Sequence, residues 1–336
     1  MKISSDHIAA AQSLGYTPDE ARFLYIAATH SGYFVPRQFV TFTGAKSTNW
    51  SSHFTQKLES RGHATWREHL RLGGVYHLVS KTLYRVIDKE SLRNWGCHST
   101  DLIRTRLLLL DFILANLHYE YFETEQEKIS YFCERLGVPK KALPARAFAG
   151  SHRTEPAIRY FVDKFPLYLD APDASPASPV TFSYVDSGEA SRAGLARYLH
   201  TYEQLFSHLS HFHILYICNS PVHFPAAERC FCSFAKRVLR QRWSDELVRY
   251  FRLQAAWERK QYGNLSNEDI EWLDQASGRF EGPDTERLYA AWCAGQLTDD
   301  TLEKHLANAH GPDNFRFSTY LVSTGHATSK ELQKAG

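Results

Sequence analysis

KSTNWSSHFTQKLESRGHATWREHLRLGGVYHLVSKTLYR, residues 46–85, reads as one helix followed by one hairpin. Trp50, Phe54 and Leu58 fall at i, i+4 and i+8, the inner face of a helix predicted from about Lys46 to Ser60. With that face turned inward, Thr48, Asn49, Ser52 and Gln56 point outward, flanked by His53 and Lys57. After Arg61 and Gly62 the chain alternates loosely to Tyr84, and Gly73–Gly74 separate two strand-like runs, the second carrying Val75, Tyr76, Leu78 and Val79. The stretch holds seven Lys/Arg (Lys46, Lys57, Arg61, Arg67, Arg71, Lys81, Arg85) against Glu59 and Glu68, a local balance of +5 in a chain whose net charge is +2.

Working outward, Thr17-Pro18-Asp19-Glu20 is a helix start: a capping hydroxyl, proline at the first helical position, then carboxylates at the positive end of the helix dipole. Ala21, Leu24, Tyr25 and Ala28 give that helix an apolar face, ending near His30 to Gly32. Pro36 opens a second, short helix carrying Phe39 and Val40 inward, and Gly44 turns the chain out of it. Three helices and a hairpin in this order predict a winged helix-turn-helix over residues 1–90. Short and amide side chains on the third helix suit base edges and phosphates, and a basic wing suits the backbone of duplex DNA. The candidate contacts are Lys46, Thr48, Asn49, Ser52, His53, Gln56, Lys57, Arg61, Arg67, Arg71 and Lys81. His53 reads equally well as a solvated histidine, and the module as a whole also reads as a protein-contact adaptor.

Forty-three per cent hydrophobic residues, with 21 Phe, 18 Tyr and 7 Trp among 336 residues, argue for folded domains and against extended disorder. Leu107 to Leu110 with Phe112 to Leu114 is the longest apolar burst and is interrupted by Asp111, so it predicts a buried helix; no membrane segment and no leader is read, and a cytoplasmic location is expected. The six cysteines lack paired spacings, which points to reduced thiols. Cys218, His223, Cys230 and Cys232 are spaced unlike a zinc site. No metal or cofactor is expected.

From His98 the pattern predicts a long amphipathic helix to about Leu117, with Arg104 and Arg106 on its polar sides. A polar helix ends near Gly137, and a turn-rich connection runs from Pro139 to Gly150. Strands at Phe165–Leu169 and Val180–Val185, separated by a Pro/Ala/Ser turn at Ala171–Pro179, open a small α/β domain. A helix to Leu209, a strand at His213–Cys218 and a helix from Pro225 to Arg240 complete it. The Thr-Pro-Asp-Glu start, the Gly-Gly wing with Tyr76 and Leu78, and His98 with Arg106, Leu108 and Asp111 belong to a wider set of marks. Val162-Asp163, Val185-Asp186-Ser187-Gly188 and Tyr198 to Tyr202 are the others. In these residues, from Thr17 to about Pro221, the chain resembles the bacterial replication-relaxation family.

The resemblance implies a winged helix joined to a domain similar to the PD-(D/E)xK nuclease fold. Such a nuclease site needs neighbouring carboxylates for Mg²⁺ and a lysine. Asp163 suits the first acidic position, but Tyr184 stands at the second and Asp186 at the lysine position, while Arg192 and Arg197 cannot serve as neutral bases. A degenerate, non-catalytic domain is expected; Asp163 and Asp186 sharing a metal is the alternative.

The fold expected is therefore α+β: winged helix-turn-helix at 1–90, linker helix and nuclease-like α/β domain at 98–240, a mostly helical region at 241–323 with a late strand at Phe315–Val322, and a tail at 324–336. Basic residues from Lys236 to Lys260 form either a second phosphate face or a solvated helix face. Beyond Tyr262, ten Asp/Glu against three Lys/Arg through His310 suit a protein partner better than DNA. The function read from these features is a sequence-specific duplex-DNA-binding regulator of transcription, a plasmid or a mobile element, acting as a homodimer. A metal-dependent nuclease or replication accessory is the alternative.

Overall fold

The computed structural model describes residues 3–44, 48–69, 72–149, 157–163, 165–170, 179–188, 192–280, 282–299, 301–302 and 315–322, with the backbone alone for residues 48, 192, 239–243 and 279. The chain is mixed α and β and divides into two compact units, residues 1–230 with 315–336, and residues 231–314.

The first unit begins with α1 (Ser5–Ser13) and α2 (Pro18–His30), the latter capped at Thr17 as the sequence predicts. A two-residue strand β1 (Tyr33–Phe34) leads into α3 (Pro36–Thr43), which Gly44 ends in the left-handed conformation, and then into α4 (Thr48–Ser60). The hairpin is β2 (Ala64–His69) and β3 (Gly73–Leu78), antiparallel from Ala64↔Leu78 to His69↔Gly73. β1 pairs with the other edge of β3, so the sheet order is β1-β3-β2. That third strand and the following α5 (Lys81–Val86) are too short to leave a periodic signature.

The linker helix is α6 (Thr100–Ala115), and the run Leu107–Leu110 with Phe112 and Ile113 is buried as predicted. It is bound to α3 by Arg37, which pairs both nitrogens with Asp111 at 2.7 and 2.8 Å, and by Gln38, which donates to Leu107 O and Asp111 Oδ1. Arg106 departs from the expectation: it is buried, not on a polar side.

Beyond α6 come β4 (Glu120–Tyr121), α7 (Glu125–Ser130) with a π-turn to Arg135, and an antiparallel pair, β5 (Ala145–Phe148), inside the stretch expected to be turn-rich connection, and β6 (Ala157–Tyr160), beyond it. β7 (Leu167–Leu169), β8 (Val180–Asp186), α8 (Arg192–His208) and β9 (Phe212–Cys218) follow the predicted alternation. Every residue of β8 is buried, as a strand covered on both faces requires. Of the turn expected between β7 and β8, residues 171–178 lie outside the described residues.

α9 (Phe224–Glu258) runs 35 residues, well past the predicted Arg240. Its residues from 231 onward, with α10 (Asn267–Phe280) and α11 (Pro283–Cys293), make the second unit around Leu247, Phe251, Ala276, Phe280 and Leu302. β10 (Phe315–Leu321), expected as a late strand of the helical region, instead returns to the first unit and pairs parallel to β9. The larger sheet thus has the order β10-β9-β8-β7-β4, with β8, β9 and β10 parallel. Its residues Val185, Leu215 and Ile217, with Val322 just past β10, share one core with Phe23, Phe54, Leu58 and Leu110, so the N-terminal helices and this sheet are a single packed body. No helix among the described residues is long and apolar enough to cross a membrane.

Candidate nucleic-acid interface

α4 is fixed from beneath by an aromatic cluster. Phe54 and Leu58 are fully buried; Phe39 stacks on Phe54 at 4.1 Å and Phe23 meets it edge-on at 5.8 Å. The buried stripe runs Ser51, Phe54, Thr55, Leu58, the i, i+3, i+4, i+7 pattern. Thr55 satisfies its buried hydroxyl by donating to Ser51 O at 3.0 Å. Trp50, expected inward, is 40% exposed, its ring tilted against Phe39 with the centroids 6.2 Å apart. The register selects small hydroxyl residues where an apolar count selects tryptophan.

The opposite face therefore presents Asn49, Trp50, Ser52, His53 and Gln56 to solvent. Thr48 lies on the first turn of the same helix, its side chain outside the described residues, as are Lys46 and Arg71 altogether. Lys57 and Arg61, at the other end, are held by the protein itself. Lys57 Nζ meets Glu20 Oε2 at 2.6 Å, and Glu20 is buried while its other role is to close the capping box with Thr17. The Arg61 guanidinium lies 5.2 Å from the centre of the Tyr16 ring. Tyr16 OH is hydrogen-bonded to His63 Nδ1 at 2.6 Å; burial raises the phenol pKa and lowers that of the imidazole, so both stay neutral near pH 7.

The hairpin leaves Thr65, Trp66, Arg67 and Glu68 exposed on β2. Arg67 forms no ion pair among the described residues, and Trp66 is 48% exposed with its indole lying over Gly74. Sequence reasoning misses both Trp50 and Trp66 as surface groups; strict alternation on β2 puts Trp66 on the face of the buried Ala64 and so does not give the second. Lys81 begins α5 and sits 4.4 Å over the Trp95 ring. Of the predicted contacts, Asn49, Ser52, His53 and Gln56 share one exposed helical face, on which Asn49 and Ser52 also interact within the chain; Arg67 stands on the hairpin that follows it, and Lys57, Arg61 and Lys81 are held by Glu20, Tyr16 and Trp95.

The second candidate set is engaged internally. Asp186, buried at the end of β8, accepts from Tyr216 OH at 2.5 Å and from Gly188 N at 2.8 Å. Asp163 accepts from Tyr202 OH at 2.8 Å and Phe165 N at 3.0 Å; it keeps an open edge, yet desolvation by the surrounding protein raises its pKa, opposed by Tyr202 and Lys128. Tyr184 is buried against Tyr198 and Tyr216. Among the described residues no group of three or more His, Cys, Asp or Glu is placed to hold a metal ion. In the second unit Arg249 pairs with Asp269 and stacks on Trp272, and Arg252 pairs with Asp299, so part of the basic run serves that unit's own surface.

This geometry defines a class only: a helical module with a solvent-facing polar helix and an adjoining hairpin, packed on a mixed sheet. No family model matches the chain, and no curated protein or solved structure is significantly similar to it.

Proposed function

We propose that the chain is a sequence-specific duplex-DNA-binding regulator, reading bases through α4 of a winged helix-turn-helix formed by residues 17–87. The observation that carries this reading is the exposed face Asn49–Ser52–His53–Gln56 on a helix whose opposite side is locked into an aromatic core. Side chains at these exposed positions are within reach of base edges, and amides pair with adenine in the major groove. The order helix, strand, helix, helix, hairpin and the sheet order β1-β3-β2 support a wing, with Arg67 as its phosphate contact. A homodimer belongs to the reading because one such module covers a short site and two cover an inverted repeat.

Selection of bound fragments from a genomic library, followed by titration against scrambled DNA at several salt concentrations, tests it. The expected result is intact fragments sharing an inverted repeat, with Gln56→Ala and Asn49→Ala relaxing the preference by roughly 1–3 kcal/mol per base read. Equal affinity for selected and scrambled DNA refutes it.

A further inference from the structure

The first unit carries a cleft of about 660 Å³ lined by residues of α2, α6, α7 and the β5–β6 pair, within the size range of small-molecule sites. Three carboxylates reach it, and each is matched. Glu123 accepts from Lys89 Nζ at 2.7 Å and Tyr25 OH at 2.6 Å. Glu125 accepts from Arg159 Nε at 2.6 Å and Tyr160 N at 2.8 Å. Asp163 is held by Tyr202 and Phe165 as described above. Arg106 is matched too, by Ser31 O at 2.6 Å and Asn94 Oδ1 at 3.3 Å.

Lys128 is left over. Its side chain lines the cleft and is only 7% exposed, yet its ammonium makes no hydrogen bond or ion pair among the described residues; it lies 5.7 Å from the centre of the Phe161 ring. Desolvation accordingly lowers its pKa, opposed by the more distant charges of Asp163, Glu127 and Glu125. Thr29 Oγ1 and His30 Nε2, on the same lining, are also buried without partners among the described residues. A desolvated ammonium with no counter-ion is unfavourable and becomes favourable when an anion supplies one. Around it the wall is aromatic, with Phe161, Phe165 and the 41%-exposed Phe148.

We propose that this cleft binds a small organic anion, whose carboxylate or phosphate pairs with the Lys128 ammonium while its apolar body lies on the aromatic wall. The site is independent of the DNA reading.

Calorimetric titration and thermal shift of the full chain with benzoate, phenyl phosphate and inorganic phosphate, each at millimolar concentration, test it. At least one aromatic anion is expected to bind saturably, benzoate against phenyl phosphate identifying the head group, and more tightly than inorganic phosphate. Lys128→Met is expected to lose at least about tenfold in affinity, that is about 1.4 kcal/mol, while melting no lower than the wild type because a buried charge has gone. Lys128→Arg is expected to retain binding. Amide shift changes in the wild-type protein should centre on Lys128, Phe161 and His30, a readout that needs no variant. Saturable binding by none of the probes, equal binding by Lys128→Met, or shift changes elsewhere overturns the proposal; inorganic phosphate binding as tightly as phenyl phosphate overturns the aromatic wall.

Discussion

Arg106 interrupts an apolar helix run, and the fold uses it as a cap. Its guanidinium donates to Ser31 O, and it also meets Asn94, whose Nδ2 donates to Ala28 O and Thr29 O at 2.9 Å each. These are carbonyls at the end of α2, which lack helical partners and sit at the negative pole of the dipole. Arg106→Met keeps the stem but strips the donors, and is expected to cost about 2–3 kcal/mol, read as a lower urea midpoint at unchanged m; a loss under about 0.5 kcal/mol, the level of an ordinary surface change, contradicts the capping role. Helical periodicity assigns Arg106 to a polar side because it registers charge and not the carbonyls of another helix. Two histidines nearby make a pH prediction. Burial pushes His30 and His77 down to about 4 from the ordinary 6.5. Between those values the unfolded chain holds more protons than the folded one, so stability rises with pH and is lost as pH falls from 6.5 to 4. His77 stacks on Tyr33 at 4.2 Å, so His77→Phe keeps the packing while removing one titration. Its stability profile over this window should be shallower by up to one proton, and an unchanged slope rules His77 out as a source.

At the scale of elements, what the sequence discloses tracks how locally each element is determined. α2 and α3 are legible because Thr17-Pro18 and Pro36 with Gly44 set their ends chemically. The β2–β3 hairpin is legible from its glycines, and they act differently. Gly73 turns at φ +72°, whereas a Cβ on Gly74 would collide with Trp66 Nε1. Gly73→Ala should therefore lower stability by about 1 kcal/mol; Gly74→Ala should instead move the Trp66 indole N–H resonance, and the reverse assignment of effects defeats this account. β1 escapes because pairing with the distant β3, not local pattern, holds it, and α5 and the four-residue strands β5 and β6 escape because they are too short to show a period. The candidate site is legible in its helical face and less so in its charges. A count of seven cations cannot tell Arg67, without an ion pair among the described residues, from Lys57, which Glu20 holds. If the DNA reading is right, Arg67→Ala should reduce the salt slope of binding by about one, while Lys57→Ala should mainly destabilise the protein. Equal slopes for Arg67→Ala and wild type remove Arg67 from the interface.

At the scale of the molecule, the feature least visible in sequence is the return of β10. Residues 231–314 leave after β9 and come back as its parallel neighbour, in register from Phe315↔Phe212 to Leu321↔Cys218. Phe315 packs on Phe212 at 4.3 Å, Tyr320 meets Phe112 edge-on at 4.9 Å and accepts from Asn116 Nδ2 at 3.2 Å, and Ser318 Oγ is bonded to His213 Nε2 at 2.6 Å. An excursion of that length is thermodynamically tolerable because loop-closure cost grows only logarithmically, but it places a strand of the first unit's sheet beyond the reach of local patterning. The second unit has its own core, so heating is expected to give two calorimetric transitions rather than one. Tyr320→Ala should lower the first unit's transition alone, by about 2 kcal/mol for a half-buried aromatic, and Phe251→Ala, which empties the core of the second unit, should lower the other. If both variants displace both transitions equally, the chain unfolds as one cooperative body and the two-unit description fails in solution.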